Sequence, residues 1–366
     1  MLGGLGGDSG LAPGAPGDPP GRARLVTTTE GLPPLRWGIV GLGQMAGRFA
    51  RSLEASPRAA LHAVASRSAD RAREFARAHD CRAHPSYGEL LRDTDVEAVY
   101  VATTHPAHEQ VCLDASREGK RVLVEKPMST SAESVRAMIE EARRNRTYLL
   151  EGYMYRFNPR NRRIMDLLRD GAIGDVLAVD ASYGFRVGAG VTSRLLDAAE
   201  AGGGILEVGG YPVSFVRQVA AVTGAVSGER PEMTAMGTME PSGVDVWACA
   251  SLRFASGLTG TVSCGVQASA SNDVRILGSR GHIEIGDPWT PDPRRETTFR
   301  LTRVDKPPLV LATRGVDQYA AEADAVARDR DRLESPELPW AASQDIARDL
   351  EQWRDALRER TLGDRP

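Results

Sequence analysis

The residue in this chain best placed to do chemistry is a lysine at the end of a strand-like run, Arg121-Val-Leu-Val124 followed by Glu125-Lys126-Pro127. Its ammonium is a compact charge that can hydrogen-bond a substrate hydroxyl or stabilise a developing alkoxide, and its pKa falls when it is desolvated or set near another cation. The proline fixes its own backbone and marks a special turn, with a cis bond as one option. A second pair of candidates lies in Gly202-Gly-Gly-Ile-Leu-Glu207-Val-Gly-Gly-Tyr211, a flexible glycine loop running into a helix, where Glu207 and Tyr211 share one helical face. A phenol beside a lysine ammonium can have its pKa lowered enough to exchange a proton with a carbinol, with the carboxylate orienting either partner. The structural alternative is a capping glutamate and a packed tyrosine.

Upstream, Trp37-Gly-Ile-Val40 reads as a buried strand and leads through Gly41-Leu42-Gly43-Gln44-Met45-Ala46 into a helix over 44–54. In that context Gly41 permits a tight turn, Gly43 lets the backbone approach a pyrophosphate, and Ala46 keeps helix and strand close. The helix N-terminus offers free amides to the phosphates. Gly41, Leu42, Gly43, Gln44 and Met45 are therefore candidate dinucleotide contacts. The next strand, Leu61-His-Ala-Val-Ala65, ends in Ser66-Arg67-Ser68, where an NAD-selective site usually places an acid for the ribose hydroxyls. An arginine and two hydroxyls suit the 2′-phosphate of NADP instead, so NADP(H) is preferred over NAD(H), the alternative for Arg67 being an exposed loop arginine. Thr103, Thr104, His105 and His108 follow the strand 98–102, at the edge where the nicotinamide half would lie, and Glu125 joins them there. The histidine spacing alone does not make a metal site, because no nearby acid or cysteine completes a ligand set, and no metal is expected.

On the substrate side, Glu151-Gly-Tyr153-Met-Tyr155-Arg156-Phe157-Asn158-Pro159 begins where the strand 148–150 ends. That places Tyr153, Arg156 and Asn158 near the carboxyl edge of the sheet, where open α/β folds bind ligands. Aromatic and polar groups there can stack on a sugar and bind its hydroxyls, whereas Tyr155 and Phe157 read equally well as a seal between domains. Arg194, in Ser193-Arg194-Leu-Leu-Asp197, is a further candidate for which a surface loop is at least as good a reading.

These residues need elements to position them. From residue 35 strands and helices alternate: helices over 69–79, 107–118 and 132–144 separate the strands at 61–65, 98–102, 122–124 and 148–150, with a short apolar segment Glu89-Leu-Leu-Arg92 among them. Such alternation predicts a doubly wound parallel sheet. Beyond it come strand candidates at 176–183, 246–254, 258–266, 274–277 and 282–285, separated by turn signals such as Ala255-Ser-Gly257. With helices over 212–222 and 343–358 they predict an α+β second domain on a mostly antiparallel open sheet. The boundaries are 1–34 for a disordered Gly/Pro-rich arm, 35–151 for the dinucleotide domain and 152–366 for the substrate and oligomerisation domain.

Composition narrows the function classes. The chain has 366 residues, 41% hydrophobic and 26% charged, with a net charge of -3, which is ordinary globular usage with no electrostatic footprint for nucleic acid or an anionic membrane. Arginine-rich stretches such as 71–77 read as solvated faces. The four cysteines, Cys81, Cys112, Cys249 and Cys264, show no paired spacing and fit a reducing cytoplasm. The first 34 residues hold nine glycines and six prolines, too little apolar surface to offset ordering entropy. No apolar run suits a signal peptide or a membrane span.

With these residues in place the chain resembles the Gfo/Idh/MocA family, named for glucose-fructose oxidoreductase, inositol dehydrogenase and a rhizopine-catabolism protein. The resemblance runs from about Arg36 to Arg358 and is carried by six motifs in order. They are Gly41-Leu-Gly-Gln-Met-Ala46, Ala63-Val-Ala-Ser-Arg-Ser68, Gly119-Lys-Arg-Val-Leu-Val-Glu-Lys-Pro127, Tyr153-Met-Tyr-Arg-Phe-Asn-Pro159, Gly202-Gly-Gly204 through Tyr211-Pro212, and Leu277-Gly-Ser-Arg-Gly281. It implies a Rossmann domain, a C-terminal open sheet that forms homodimers or homotetramers, and hydride exchange between nicotinamide and a hydroxyl or keto carbon of a sugar, cyclitol or related diol. Lys126 would take the place of the family's catalytic lysine. Where the family often carries Asp and then His four residues on, this chain has Glu207 and Tyr211. The tyrosine is similar to the glucose-fructose oxidoreductase, dihydrodiol dehydrogenase and sugar ketoreductase branches, and the glutamate is a departure. Within the enzymes a nucleotide-sugar ketoreductase or a transhydrogenase recycling its cofactor fits as well, and outside them a non-catalytic NADP and sugar sensor.

Overall fold

Apolar, β-branched runs alternate with amphipathic segments opened by serine, and this pattern builds the first half of the protein. The computed structural model describes residues 33–188, 194–225 and 227–363; the expected N-terminal arm, apart from its last two residues, and Ser193 lie outside the described residues. The strands β1 (Leu35–Val40), β2 (Ala59–Ala65), β3 (Arg82–His84), β4 (Ala98–Val101), β5 (Arg121–Glu125) and β6 (Leu149–Gly152) form one parallel sheet in the order β3-β2-β1-β4-β5-β6. Between them run α1 (Gln44–Glu54), α2 (Ala69–Ala78), α3 (Tyr87–Arg92), α4 (His108–Arg117) and α5 (Ala132–Asn145). Ser68, Ser86 and Ser131 cap α2, α3 and α5 by accepting backbone N–H bonds from Arg71, Glu89 and Ser134. Helix α1 follows Gly43 and has no side-chain cap.

Both faces of the parallel sheet are buried, as its near-continuous apolar strands require. Val40, Val99, Val101, Val122 and Val124 pack into one core with Val111 of α4 and Val135 and Met138 of α5. Trp37, Ile39, Tyr100, Leu123 and Leu150 point the other way, into a core continuous with that of the second sheet. Chain order reverses at β1, which lies between β2 and β4, so the turns after β1, β4 and β5 open onto one crevice.

After α6 (Pro159–Arg169) comes a sheet of β7 (Val176–Gly184), β8 (Glu232–Met239), β9 (Asp245–Arg253), β10 (Thr259–Gly265), β11 (Asp273–Gly278), β12 (Gly281–Gly286), β13 (Thr297–Arg303) and β14 (Lys306–Thr313). Its order is β14-β13-β12-β11-β7-β10-β9-β8, antiparallel except where β10 runs parallel to β7. A single π-helical turn, Ile205–Gly209, leads into α7 (Gly210–Val222), and α8 (Gln318–Arg328) and α9 (Trp340–Gly363) close the chain. Helices α6, α7 and α9 pack on one face of this sheet. The other face carries the exposed side chains of Met236 and Val310.

The sequence reading omits β3, β8, β13, β14, α6 and α8, for local reasons. Strand β3 is three residues long, β14 opens on Lys306-Pro-Pro and is mostly exposed, and α6 is dense in arginine behind its Asn158 cap. The larger difference is where α8 goes. Although it follows the second sheet in sequence, it packs beside α1, with Ser52 Oγ donating to Asp317 Oδ2 at 2.9 Å, and Leu149 N donates to Leu333 O at 3.0 Å. Helix α9 then starts on the parallel sheet, where Trp340 Nε1 donates to Leu149 O at 2.9 Å, and buries Trp353 and Leu357 in the core of the second. Residues 317–363 thus clasp the two sheets together. No described helix is long and apolar enough to cross a membrane.

Candidate active site

A cavity of about 770 Å³ occupies the crevice at the carboxyl edge of the parallel sheet. Its floor is the turn after β1. Gly41 has φ +86°, and a Cβ on it would lie 2.8 Å from both Ala102 O and Thr103 N, so only glycine lets this turn press against the one after β4. Gly43 is the opposite case: a Cβ there would meet nothing within 4 Å and would project into open space. Helix α1 begins next to it with no side-chain cap and no acid in its first turn, which leaves amides and a favourable dipole for phosphate. The residues present fit a dinucleotide on these grounds. Leu42, Gln44, Met45, Ser66, Arg67, Thr103 and Thr104 line the same cavity.

Ser68, expected at the cofactor, is instead the α2 cap. Arg71, read from sequence as part of a solvated face, lines the cavity and donates from Nη2 to Leu42 O at 2.7 Å. One turn of helix after a capping serine swings its guanidinium back beside Arg67, a placement that spacing from Ser68 could have signalled.

At the other end Lys126 enters from the turn after β5, whose Lys126–Pro127 bond is cis. Its Nζ donates to Glu207 O at 2.7 Å and lies 3.7 Å from Glu207 Oε1. Arg194 Nη2 stands 3.1 Å from Glu207 Oε2, and His105 Nε2 stands 3.5 Å from it. Burial by itself would raise the Glu207 pKa, but the Lys126 ammonium and the Arg194 guanidinium, with the polar His105 ring beside them, overcome burial and hold the carboxyl down at about 2. A depressed acid stabilises the fold above the ordinary carboxylate range and loses that contribution as pH falls toward 2, so Glu207 stays ionised under all working conditions. His105 is the reverse: burial pushes it down to about 3, so the ring is neutral, and its Nδ1 has no partner among the described residues. An orphaned polar atom at this end fits a group brought by a ligand.

His108 is also neutral, pushed down to about 4 by burial against the opposing pull of the Pro127 and Thr103 carbonyls. Its Nδ1 donates to Pro127 O at 3.0 Å while Nε2 faces Thr103 O, so the ring ties the turn after β4 to the turn after β5. Glu125 lies beneath, accepting from Tyr100 Oη and from Lys126 N, and burial raises its pKa.

Tyr211 lines the cavity, but the expected lowering of its pKa does not occur. Burial, reinforced by Tyr319, Tyr183 and Glu125, pushes the phenol well above its ordinary range. Lys126 Nζ lies over the ring face, 5.6 Å from the centroid, and the hydroxyl donates to Met154 Sδ at 3.4 Å. Nor is the loop before it flexible in form: Glu207 sits in the π-turn, one wide turn ahead of α7.

Three expected substrate contacts do not reach the cavity. Tyr153 is fully buried, its hydroxyl has no partner among the described residues, and a Cβ on Gly210 would strike it. Arg156 spans the interior to Ser214 O and Glu337 O, and Asn158 caps α6. Of the hydrophilic side chains just past this strand end, Arg156 ties the turn to α7 and to the segment before α9, and Asn158 serves its own helix. Tyr155 and Phe157 are buried beside them. In their place Met154, Tyr183, Phe185, Thr290 and Tyr319 line the cavity together with Arg194. Met154 belongs to the turn after β6, beside the three that miss, but nothing local in the sequence marks the other four, because they come from β7 and the residue after it, a loop after β12 and α8. Among the described residues one His/Asp grouping has metal-like proximity, His62, Asp93 and Asp95, outside this cavity, and Arg82 and His84 already occupy Asp93.

Comparison with known proteins places these features in company. The family described as "Oxidoreductase family, NAD-binding Rossmann fold" matches residues 35–153, and the GFO/IDH/MocA C-terminal domain matches residues 161–284. Trans-1,2-dihydrobenzene-1,2-diol dehydrogenase from Bos taurus is 37% identical over 262 residues, covering 70% of this chain and 76% of that protein. The Mus musculus enzyme of the same name is 32% identical over 336 residues, covering 88% and 97%. Among solved structures, KijD10, a 3-ketoreductase from Actinomadura kijaniata in complex with NADP and TDP-benzene, superposes with a TM-score of 0.78 at 28% identity, covering 89% of this chain and 97% of that one. An aldose-aldose oxidoreductase from Caulobacter crescentus complexed with glycerol gives 0.79 at 25% identity, covering 89% and 98%.

The two glycines make a direct test of the cofactor cradle. Gly43→Ala should leave the melting temperature of the free protein unchanged, because its Cβ meets nothing, and should weaken dinucleotide binding at least about tenfold, because the Cβ fills the space next to the helix N-terminus. Binding measured by quenching of protein fluorescence that matches the parent would contradict the cradle.

Proposed function

We propose a function from one premise: the chain belongs to the Gfo/Idh/MocA oxidoreductase family. It is accordingly an NAD(P)-dependent dehydrogenase or reductase acting on CH–OH groups. The finer reading is reversible oxidation of one hydroxyl on a small ring-bearing diol or sugar, with NADP(H) preferred. The observation that carries it is the Lys126 ammonium, held by the carbonyl and carboxylate of Glu207 in the same cavity as the Gly41–Gly43 turn.

A bound nicotinamide would accept or supply the hydride. The protein's own part is to hold the substrate oxygen and move its proton. One N–H of the ammonium goes to the Glu207 carbonyl while the Glu207 carboxylate pairs with its charge, and a further N–H is available to the substrate oxygen, where it stabilises alkoxide character as the C–H bond breaks. Tyr211, its pKa raised by burial, is a neutral phenol at working pH and serves as proton donor in the reduction direction. In oxidation the Tyr211 oxygen takes the carbinol proton only after its own phenolic proton has left to solvent, with Lys126 offsetting the charge of that phenolate.

The substrate end of the cavity is more aromatic than a sugar site needs. Tyr183, Phe185 and Tyr319 supply apolar faces, and Thr290 and Arg194 add polar groups. This wall supports a ring with one apolar face and hydroxyls along an edge, a description that a cyclic vicinal diol satisfies as well as a pyranose. The similarity to proteins named dihydrodiol dehydrogenases favours the diol. The phosphate preference rests on Arg67, just past β2, and Arg71, in the first turn of α2, two cations that both line the cavity.

Two measurements check this. Lys126→Ala should abolish NADP⁺ reduction with cyclic diols and sugars, followed at 340 nm, while NADPH binding stays within a few-fold; turnover at the parent rate would overturn the lysine's role. Arg71→Ala should raise the Kd for NADPH by on the order of tenfold, the loss of one charge-assisted hydrogen bond, and leave NADH binding unchanged. Equal effects on both cofactors would place the 2′-phosphate elsewhere.

A further inference from the structure

We propose that Asp245, the first residue of β9, is a positioning residue for the reaction: its carboxylate fixes the Gly203–Ile205 turn, which sets the height of Glu207 and, through the Glu207 carbonyl, the aim of Lys126. The inference rests on the roles given above to Glu207 and Lys126. Asp245 is not among the residues that line the cavity.

The carboxylate is 7% exposed, and its Oδ2 accepts the Ile205 N–H at 2.7 Å. Gly203 has φ +117° and passes so near that a Cβ on it would be 2.3 Å from Oδ1, while a Cβ on Gly204 would be 3.3 Å from Oδ2. The glycine run is therefore shaped around this carboxylate as well as by its backbone angles. From Gly203 the π-turn starts, with Glu207 N donating to Gly203 O at 3.0 Å, and Glu207 O in turn receives Lys126 Nζ at 2.7 Å. Asp245, Ile205, Glu207 and Lys126 thus form a continuous chain of contacts from the floor of the second sheet to the reacting end of the cavity.

The carboxylate is kept there at a cost. Burial pushes its pKa up to about 6, opposed by the Ile205 and Gly204 amides and by the Arg354 guanidinium of α9. Cys264 of β10 faces the same group, and burial pushes that thiol well above its ordinary range. An acid with a raised pKa stabilises the fold most in its neutral form, below pH about 4, and that contribution is lost as pH rises through about 6. At neutral pH the ionised carboxylate weakens the fold, so its presence is better explained by what it holds than by stability. Protonation weakens the charge-assisted bond to Ile205 and loosens the turn.

The test uses the full chain with NADPH and the best diol or sugar found. In the parent, kcat should fall on the acid side with an apparent pKa near 6, while NADPH affinity, set at the distant Gly41–Gly43 turn, stays level. Asp245→Asn should lower kcat about tenfold, leave NADPH affinity unchanged and abolish that acid limb, since the misplacement acts on the reacting groups alone. Parent-like kcat in the variant overturns the proposal. So does an acid limb that survives the substitution, which would belong to Glu151, raised by burial to about 7. A structural readout stands apart from turnover. Crystals of the variant, or of the parent at pH 5 and 8 should the variant not fold, must show Lys126 Nζ withdrawn from Glu207 O in the variant or at pH 5. An unchanged 2.7 Å contact overturns the proposal whatever the substrate. Absence of any turnover by the parent, with the contact shifting as described, would count against the functional reading alone.

Discussion

The site depends on one buried anion. Glu207 is ionised in a place where burial opposes ionisation, and three cationic or polar partners from different parts of the chain converge on it: Lys126 after β5, His105 after β4 and Arg194 from the segment after β7. A buried carboxylate without such partners would take up a proton. With them it acts as a fixed point for Lys126, His105 and Arg194. The backbone carbonyl of the same residue holds the lysine more closely than the carboxylate does, 2.7 Å against 3.7 Å, so the lysine is positioned by main chain and neutralised by side chain.

That arrangement explains why the two halves are locked together far from the cavity. Lys126 belongs to the parallel sheet and Glu207 to the second half, so their relative height is only as well defined as the seam between them. The seam is made by Arg156, bridging Ser214 O and Glu337 O, by α8 lying beside α1, and by α9, which carries tryptophans into the cores of both sheets. Arg156, just past β6, serves this seam, and a substrate-contacting role for it would have left the seam without those buried hydrogen bonds.

Much of this was legible in the residues. The parallel sheet, its alternation with helices and the Gly41–Gly43 cradle follow from local period and turn chemistry, and Lys126 from its place after an apolar run. Tyr211 and Arg194 also line the cavity beside Lys126. Hidden were the features that depend on three-dimensional neighbours. Arg71 looks solvated until the Ser68 cap turns it inward, and Tyr153, Arg156 and Asn158 look like pocket residues until α7 covers them. The aromatic wall of Tyr183, Phe185 and Tyr319 gathers residues from distant elements. The Tyr211 pKa went the opposite way to expectation because the ammonium sits over the ring face, while burial acts on the hydroxyl.

The most direct test of the central claim is the rate of Glu207→Gln. Gln keeps the backbone carbonyl and nearly the same volume but removes the charge that Lys126, Arg194 and His105 surround. The account predicts a fall in kcat/KM of about a hundredfold or more, on the scale of a misplaced reacting group, with NADPH affinity unchanged. A variant that turns over within twofold of the parent would show that the buried anion does not organise the site.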